Sequence, residues 1–165
     1  MFKINSIDKI NELKKSDFLS IFGNVFEKTE WISEKVFELK PFQDFNDLSS
    51  KLLGLYENCH KEKILIIFNS HPELAVAKKM TNESKLEQAG ANLNECSVEE
   101  FEEFKKLNLE YKNKFGFPFI IAVKGKNKTE ILNNFRQRIL NDVESEFKEA
   151  KKHVKKIATF RLNEI

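Results

Sequence analysis

The sequence predicts an all-α protein, a compact bundle of about eight or nine helices that forms a single domain over residues 1–165. Five glycines and three prolines are few for this length, which disfavours the many turns of a β-sandwich. Patterns typical of helix N-termini recur along the chain. Sixteen phenylalanines supply the apolar area that one core of this size needs.

The first predicted elements are an N-terminal helical group, separated by Pro41 from a further helix within residues 44–59. Apolar residues recur there at helical spacing, namely Phe45, Leu48, Leu52 and Leu55. The apolar run at 64–68 would also suit a short strand, but we expect a helix whose inward face continues to His71. Pro72 should end that helix, because the residue before a proline avoids the α region.

Residues 84–88 are predicted to be helical and carry polar groups on one side. Ser84, Glu87 and Gln88 share one face, whereas the opposite face consists of Leu86, Ala89 and Leu93. Two interpretations stay open. The polar face could contribute to a site, or Ser84 and Glu87 could form a capping box on a face that solvent covers.

A long helix is predicted over residues 98–115, beginning with a Ser97–Glu100 capping box. Its inward residues should be Phe101, Phe104, Leu107 and Tyr111. Gly116 can take the left-handed conformation that ends a helix, and Pro118 prevents its resumption. The following residues 119–123 have strand propensity but no convincing partner strand, so an extended or loosely helical segment is expected.

Two further helices should begin at Asn127 and Asn141, each followed three residues later by glutamate. The last helix carries an apolar stripe formed by Val143, Phe147, Ala150, Val154 and Ile157, and the next member of that stripe is Arg161. A buried guanidinium requires an anion or several acceptors. A ligand carboxylate or urea-like group would serve, and so would an internal ion pair or exposure at the helix end.

The composition and the missing motifs exclude several classes of function. With 28 basic and 26 acidic residues, the formal charge of +2 gives no electrostatic case for nucleic acid or a membrane surface. Cys59 and Cys96 are expected to be reduced thiols in the cytoplasm, because no secretory signal pattern precedes them. A glycine-rich phosphate loop and the usual metal-ligand spacings are absent, so neither a cofactor nor a metal is expected.

His71 is the strongest candidate for chemistry. At the C-terminal end of a helix, the dipole favours the protonated imidazole, which suits a proton donor near neutral pH. The alternative is a partly buried histidine that is satisfied by a carbonyl group.

Several short motifs occur together and in order over nearly the whole chain. They are Phe22-Gly-Asn-Val-Phe-Glu27 with Trp31, His71-Pro-Glu-Leu-Ala75, Ser84-x-x-Glu-Gln88 with Ala89-Gly90, Leu107-Asn108 with Tyr111, Lys114-Phe-Gly-Phe-Pro-Phe119, and Ile157 with Arg161-Leu162. Through them the chain resembles the 2-oxo-4-hydroxy-4-carboxy-5-ureidoimidazoline (OHCU) decarboxylases, which act late in urate degradation. Glu73 and Val76 depart from the family's frequent Asp and Gly.

This resemblance implies an all-helical homodimer that needs no cofactor or metal and acts on a small ureidoimidazoline. His71 would be the catalytic proton donor, and Glu87 would orient His71 or the substrate hydroxyl. The implied substrate-binding residues are Pro72, Ser84, Lys85, Leu86, Glu87, Gln88, Phe119, Ile120, Ile121, Ala122, Val123 and Arg161. Residues 119–123 would bind largely through backbone groups, Gln88 would read the ureido amides, and Arg161 would anchor the polar ring or carboxylate.

The implied activity is decarboxylation of OHCU to (S)-allantoin with stereospecific protonation. One alternative is a non-catalytic helical protein that binds a purine catabolite. Another is a helical interaction module that uses the lysine-rich last helix, whose Lys151, Lys152, Lys155 and Lys156 lie off the apolar stripe. We interpret those lysines as a solvated face, because no aromatic residues alternate with them.

Overall fold

The computed structural model describes residues 6–76 and 80–165, and all regular secondary structure in these ranges is helical. The helices are α1 (Ile7–Glu12), α2 (Lys15–Phe22), α3 (Glu30–Phe37), α4 (Phe45–Glu57), α5 (Lys61–Ser70), α6 (Asn82–Gly90), α7 (Val98–Phe115), α8 (Lys128–Arg138) and α9 (Val143–Glu164). The predicted all-α fold class is confirmed.

The chain groups into two compact units. The first contains the chain up to Ser70 together with Lys155–Ile165, and therefore holds α1 to α5 and the C-terminal part of α9. The second is His71–Val154, with α6, α7, α8 and the N-terminal part of α9. The single domain over residues 1–165 stays a prediction.

Aromatic rings form much of the core of the first unit. Phe18 on α2 is fully buried, and its ring centroid lies 4.7 Å from that of Phe22 and 5.4 Å from that of Phe37. Phe26 contacts the buried ring of Tyr56 at 5.0 Å. Tilted ring contacts of this kind add to the free energy of area burial.

The predicted helices α4 and α5 are both present. Leu48 and Leu52 are buried on α4 as expected, but Phe45 is 42% exposed because it lies in the first turn, and Tyr56 is buried at the other end instead. Helix α5 ends at Ser70, directly before His71, as the following proline predicts.

Helix α7 organises the second unit. The Ser97–Glu100 capping box is present, and Gly116 ends the helix with φ of 81°, so both predictions are confirmed. The prediction that Phe101 points inward is wrong: it is 38% exposed because the first turn of α7 extends beyond the core. The buried side chains are those of Phe104, Leu107, Asn108, Tyr111 and Phe115.

The termini of the last two helices differ from the predicted capping boxes. Asn127 accepts the Glu130 N–H at 2.9 Å, but its own amide, not its backbone, binds the Glu130 carboxylate. The predicted Asn141 cap is wrong, because Asp142 accepts the Ser145 N–H at 2.8 Å. Since α9 therefore starts one residue later, Val143 is 51% exposed and does not belong to the buried stripe.

Candidate active site

The segment at residues 71–75, which carries the candidate proton donor, lies directly after α5. His71 is half-buried, while Leu74 and Ala75 are buried. Ala75 has φ of 53°, in the left-handed region that a side chain with a Cβ rarely adopts. A backbone in this conformation persists only where surrounding contacts hold it.

Helix α6 presents its polar face to the protein interior. Ser84 and Gln88 are 5% and 6% exposed, Glu87 is half-buried, and Leu86 on the opposite face is 70% exposed. The N-cap is Thr81, whose hydroxyl accepts the Ser84 N–H, so the suggested Ser84–Glu87 capping box is wrong. The alternative of a solvated polar face is wrong as well for Ser84 and Gln88.

Gln88 binds the backbone of the 71–75 segment on both sides of Leu74. Its Oε1 accepts the Ala75 N–H at 3.1 Å, and its Nε2 donates to the Glu73 carbonyl at 3.2 Å. Nε2 also lies 3.2 Å from Met80 Sδ. This amide was predicted to read a ligand; in the structure it fixes the chain that follows His71.

A second amide reaches the same segment from α7. Asn108 is 3% exposed, and its Nδ2 donates to the Leu74 carbonyl at 3.0 Å. In the sequence, Asn108 stands out only as part of the Leu107-Asn108 motif. A polar residue within an otherwise aromatic and aliphatic helix face was the available signal.

The residues after the aromatic turn are extended without forming a strand. All five are buried: Phe119, Ile120, Ile121, Ala122 and Val123. Arg138 Nη1 donates to the Ile120 carbonyl at 2.7 Å, and His153 Nδ1 accepts the Ala122 N–H at 3.0 Å. Because an acceptor nitrogen cannot carry a proton, His153 holds this bond as an imidazole protonated on Nε2 only.

A buried ionic network supports the segment at 119–123. Glu146 is fully buried and accepts the Tyr111 hydroxyl at 2.6 Å and Arg138 Nε at 2.8 Å. The Arg138 guanidinium lies 4.5 Å from the centroid of the Phe119 ring, which stacks on Phe135 at 3.9 Å. Burial, and then the hydrogen bond to Glu146, raise the pKa of Tyr111 well above its usual value. The helical spacing rules had not singled out Arg138 or Glu146.

Arg161 lies in the first unit and is 7% exposed, as its place on the apolar stripe predicts. Its Nη2 donates to Glu27 at 2.8 Å, and its Nη1 donates to the Asn24 carbonyl at 2.8 Å. Glu27 is 1% exposed, so two buried charges neutralise each other. The internal ion pair that the sequence left open as an alternative is therefore present.

The structure brings part of the predicted site together within the second unit. The segment at 71–75 and Gln88 are joined directly by hydrogen bonds. Lys85 and Leu86 have exposed side chains, in contrast to Ser84 and Gln88 on the same helix.

Among residues 6–76 and 80–165, no group of three or more His, Cys, Asp or Glu side chains is arranged to hold a metal ion. Neither Cys59 nor Cys96 is in a disulfide, and burial raises the pKa of the Cys96 thiol. None of the helices in the described part of the chain combines the length and the apolar character that crossing a bilayer requires.

Comparison with known proteins gives consistent matches over most of the chain. The sequence model of the family described as OHCU decarboxylase matches residues 11–163. A uric acid degradation bifunctional protein of Bacillus sp. (strain TB-90) is 38% identical over 96% of this chain, which spans only 32% of that relative. An OHCU decarboxylase of Haloferax volcanii is 33% identical over 96% of this chain and 95% of its own length.

The fold is also similar to that of a solved protein. A crystal structure described as OHCU decarboxylase in the presence of (S)-allantoin superposes with a TM-score of 0.72 and covers 92% of this chain and 97% of its own. The identity is 20%, so this similarity concerns the fold alone.

Proposed function

Because this chain belongs to the OHCU decarboxylase family, we propose that it decarboxylates 2-oxo-4-hydroxy-4-carboxy-5-ureidoimidazoline to (S)-allantoin in urate degradation. The observation that carries the proposal is the family match over residues 11–163. The geometry of α6 also supports the proposal. Its polar face is buried, and Gln88 on that face binds the segment that carries His71.

The proposed reaction needs no external electron sink. The substrate carboxylate is attached to a carbon next to a ring C=N bond. When the C–CO2 bond breaks, its electron pair forms a C=C bond and the imine nitrogen takes up a proton. The hydroxyl-bearing carbon then becomes a carbonyl, because its hydroxyl loses a proton while a proton adds to the carbon that carries the ureido group. A substrate with its own sink explains why this proposal includes no cofactor and no metal.

The protein's task is then to align the substrate and to deliver the proton to one face. We assign the proton donor role to His71, with Pro72 beside it in contact with the substrate. Glu87 would orient the imidazole or the substrate hydroxyl. A general acid held in place contributes about 10²- to 10⁴-fold to rate, and its one-sided placement sets the enantiomer formed.

The remaining assignments follow the resemblance and the geometry. Ser84 and Gln88 are buried polar groups on the same helix, and Lys85 and Leu86 would contribute backbone atoms. In residues 119–123, the Ile120 carbonyl and the Ala122 N–H are already bound by Arg138 and His153, so neighbouring backbone groups would contact substrate. The support for Arg161 as an anchor is the family resemblance.

A coupled assay that generates the substrate from urate tests the proposal. Circular dichroism should show (S)-allantoin accumulating faster than the racemic spontaneous background. His71→Asn should reduce stereoselective formation to about that background and leave the helical signal unchanged. His60→Asn is the matched control, because His60 is exposed and belongs to no proposed site. If the wild-type protein does not accelerate allantoin formation above the background rate, the alternative of a protein that only binds the catabolite is favoured.

The same proposal includes three broader properties. We expect a homodimer, which light scattering after size-exclusion chromatography would detect. We expect unchanged activity after dialysis against a chelator, because no metal takes part. A cytoplasmic location is consistent with two cysteines that form no disulfide.

A further inference from the structure

Asn108 is a buried amide in an apolar setting. It lies at the middle of α7, on the face formed by Phe104, Leu107, Tyr111 and Phe115, and is 3% exposed. A polar side chain in such a place costs free energy unless hydrogen bonds compensate for its lost hydration. A leucine has the same branched arrangement of heavy atoms and would not carry that cost.

The hydrogen bonds of Asn108 compensate for only half of its amide. Nδ2 donates to the Leu74 carbonyl at 3.0 Å, and this bond fixes the orientation of the amide because a carbonyl can only accept. The buried Oδ1 has no hydrogen-bond partner among the described residues. The bond to Leu74 is therefore the contact that accounts for an asparagine at this position.

Leu74 lies between two residues that Gln88 already holds. Gln88 accepts the Ala75 N–H and donates to the Glu73 carbonyl, so two amides from α6 and α7 bind three successive residues. The backbone at Ala75 is in the left-handed region, which an alanine does not favour by itself. These three hydrogen bonds fix the backbone on both sides of Leu74 and help to hold the segment in that conformation.

We infer that Asn108 is a positioning residue for His71, acting through the Leu74 carbonyl. This inference rests on the proposed decarboxylase function. His71 is three residues before Leu74, and Pro72 restricts the backbone between them. Fixing the Leu74 carbonyl therefore fixes the direction from which the imidazole reaches the substrate. A small misplacement of a catalytic group is enough to slow a reaction by about 10²-fold.

The test replaces the amide by an apolar side chain with the same branched shape. Asn108→Leu should remain folded with a melting temperature close to that of the wild type, because it removes an incompletely bonded buried amide but also leaves the buried Leu74 carbonyl without this donor. It should lower kcat by roughly 10- to 100-fold, leave KM nearly unchanged and reduce the enantiomeric excess of the product. Asn113→Leu is the matched control, since Asn113 is exposed on the same helix.

A second readout does not depend on activity. The protein contains three histidines, so NMR ring signals can be assigned with one His→Asn variant each. Asn108→Leu should shift the ring signals of His71 and leave those of His60 in place. If Asn108→Leu shifts the His71 signals although the wild-type protein shows no decarboxylation, the positioning role is supported and the proposed function is refuted.

Two results would overturn the inference. The first is that Asn108→Leu keeps the kcat, the stereoselectivity and the His71 NMR signals of the wild type. The second is loss of the folded state in both Asn108→Leu and the isosteric Asn108→Asp, which would make Asn108 a requirement of the fold.

Discussion

Glu146→Gln should be among the most destabilising single substitutions of similar size in the second unit. Glu146 is fully buried, and its carboxylate accepts from the Tyr111 hydroxyl, Arg138 Nε and Asn141 Nδ2. The amide keeps the shape but leaves Arg138 as a buried charge without an anion. Removing one partner of such a pair costs about 3–5 kcal/mol.

The structure places the expected loss near the lower end of that range. Arg138 keeps its bond to the Ile120 carbonyl and its position over the Phe119 ring, which partly compensate for the missing carboxylate. We therefore expect a loss of about 3 kcal/mol in the free energy of unfolding. For a chain of this size, that corresponds to a melting temperature lower by roughly 6–12 °C.

Helix α8 provides a matched control two residues away. Arg136 makes two bonds to the carboxylate of Glu103, at 2.6 and 2.7 Å, but the two side chains are 49% and 34% exposed. Glu103→Gln should leave the melting temperature nearly unchanged, because water screens the lost pair and solvates Arg136. Thermal unfolding followed by circular dichroism at 222 nm measures both variants.

The double variant Arg138→Met/Glu146→Gln completes the test. It should be more stable than Glu146→Gln alone, because it removes the unpaired buried charge. Equal and small losses in Glu146→Gln and Glu103→Gln would refute the argument that burial sets the strength of this pair.

Two further predictions concern the termini of α7. The pKa of Glu100 is lowered to about 2 by the Ser97 backbone N–H and by Lys128. The Glu100 carboxylate therefore stabilises the folded state fully above the unfolded pKa of about 4.3, and this contribution is lost as pH falls towards 2. Melting temperatures between about pH 5 and pH 2 should therefore fall more steeply for the wild type than for Glu100→Gln; parallel curves would contradict this. Gly116→Ala should lower the free energy of unfolding by about 1 kcal/mol, because φ is 81° there; a urea titration that gives equal stability would contradict this.

Patterns between near neighbours predicted much of the fold. The Ser97–Glu100 box, Gly116 at the end of α7 and the end of α5 before Pro72 all depend on residues a few positions apart. Such signals are complete within one helical turn. For the same reason, errors of one residue or one turn occurred at Asn141, Val143 and Phe101, where a competing cap or the edge of the core decided the outcome.

In the candidate site, too, the sequence identified residues whose orientation only the packing of the helices decided. The resemblance pointed to residues at 71–75, 84–88 and 119–123, but spacing alone left the orientation of α6 open. A helix has two faces, and only packing determines that the polar one with Gln88 is buried while Leu86 is exposed.

By itself, the sequence determined that this chain is helical, where α7 and α8 begin, where α5 and α7 end, and which family it resembles, because these properties are encoded in local order. The tertiary structure alone decided which distant groups meet. Asn108 binds Leu74 across 34 positions, and Arg161 binds Glu27 across 134. Such partners are chosen by how helices pack, since a buried polar group must find a partner wherever the fold supplies one.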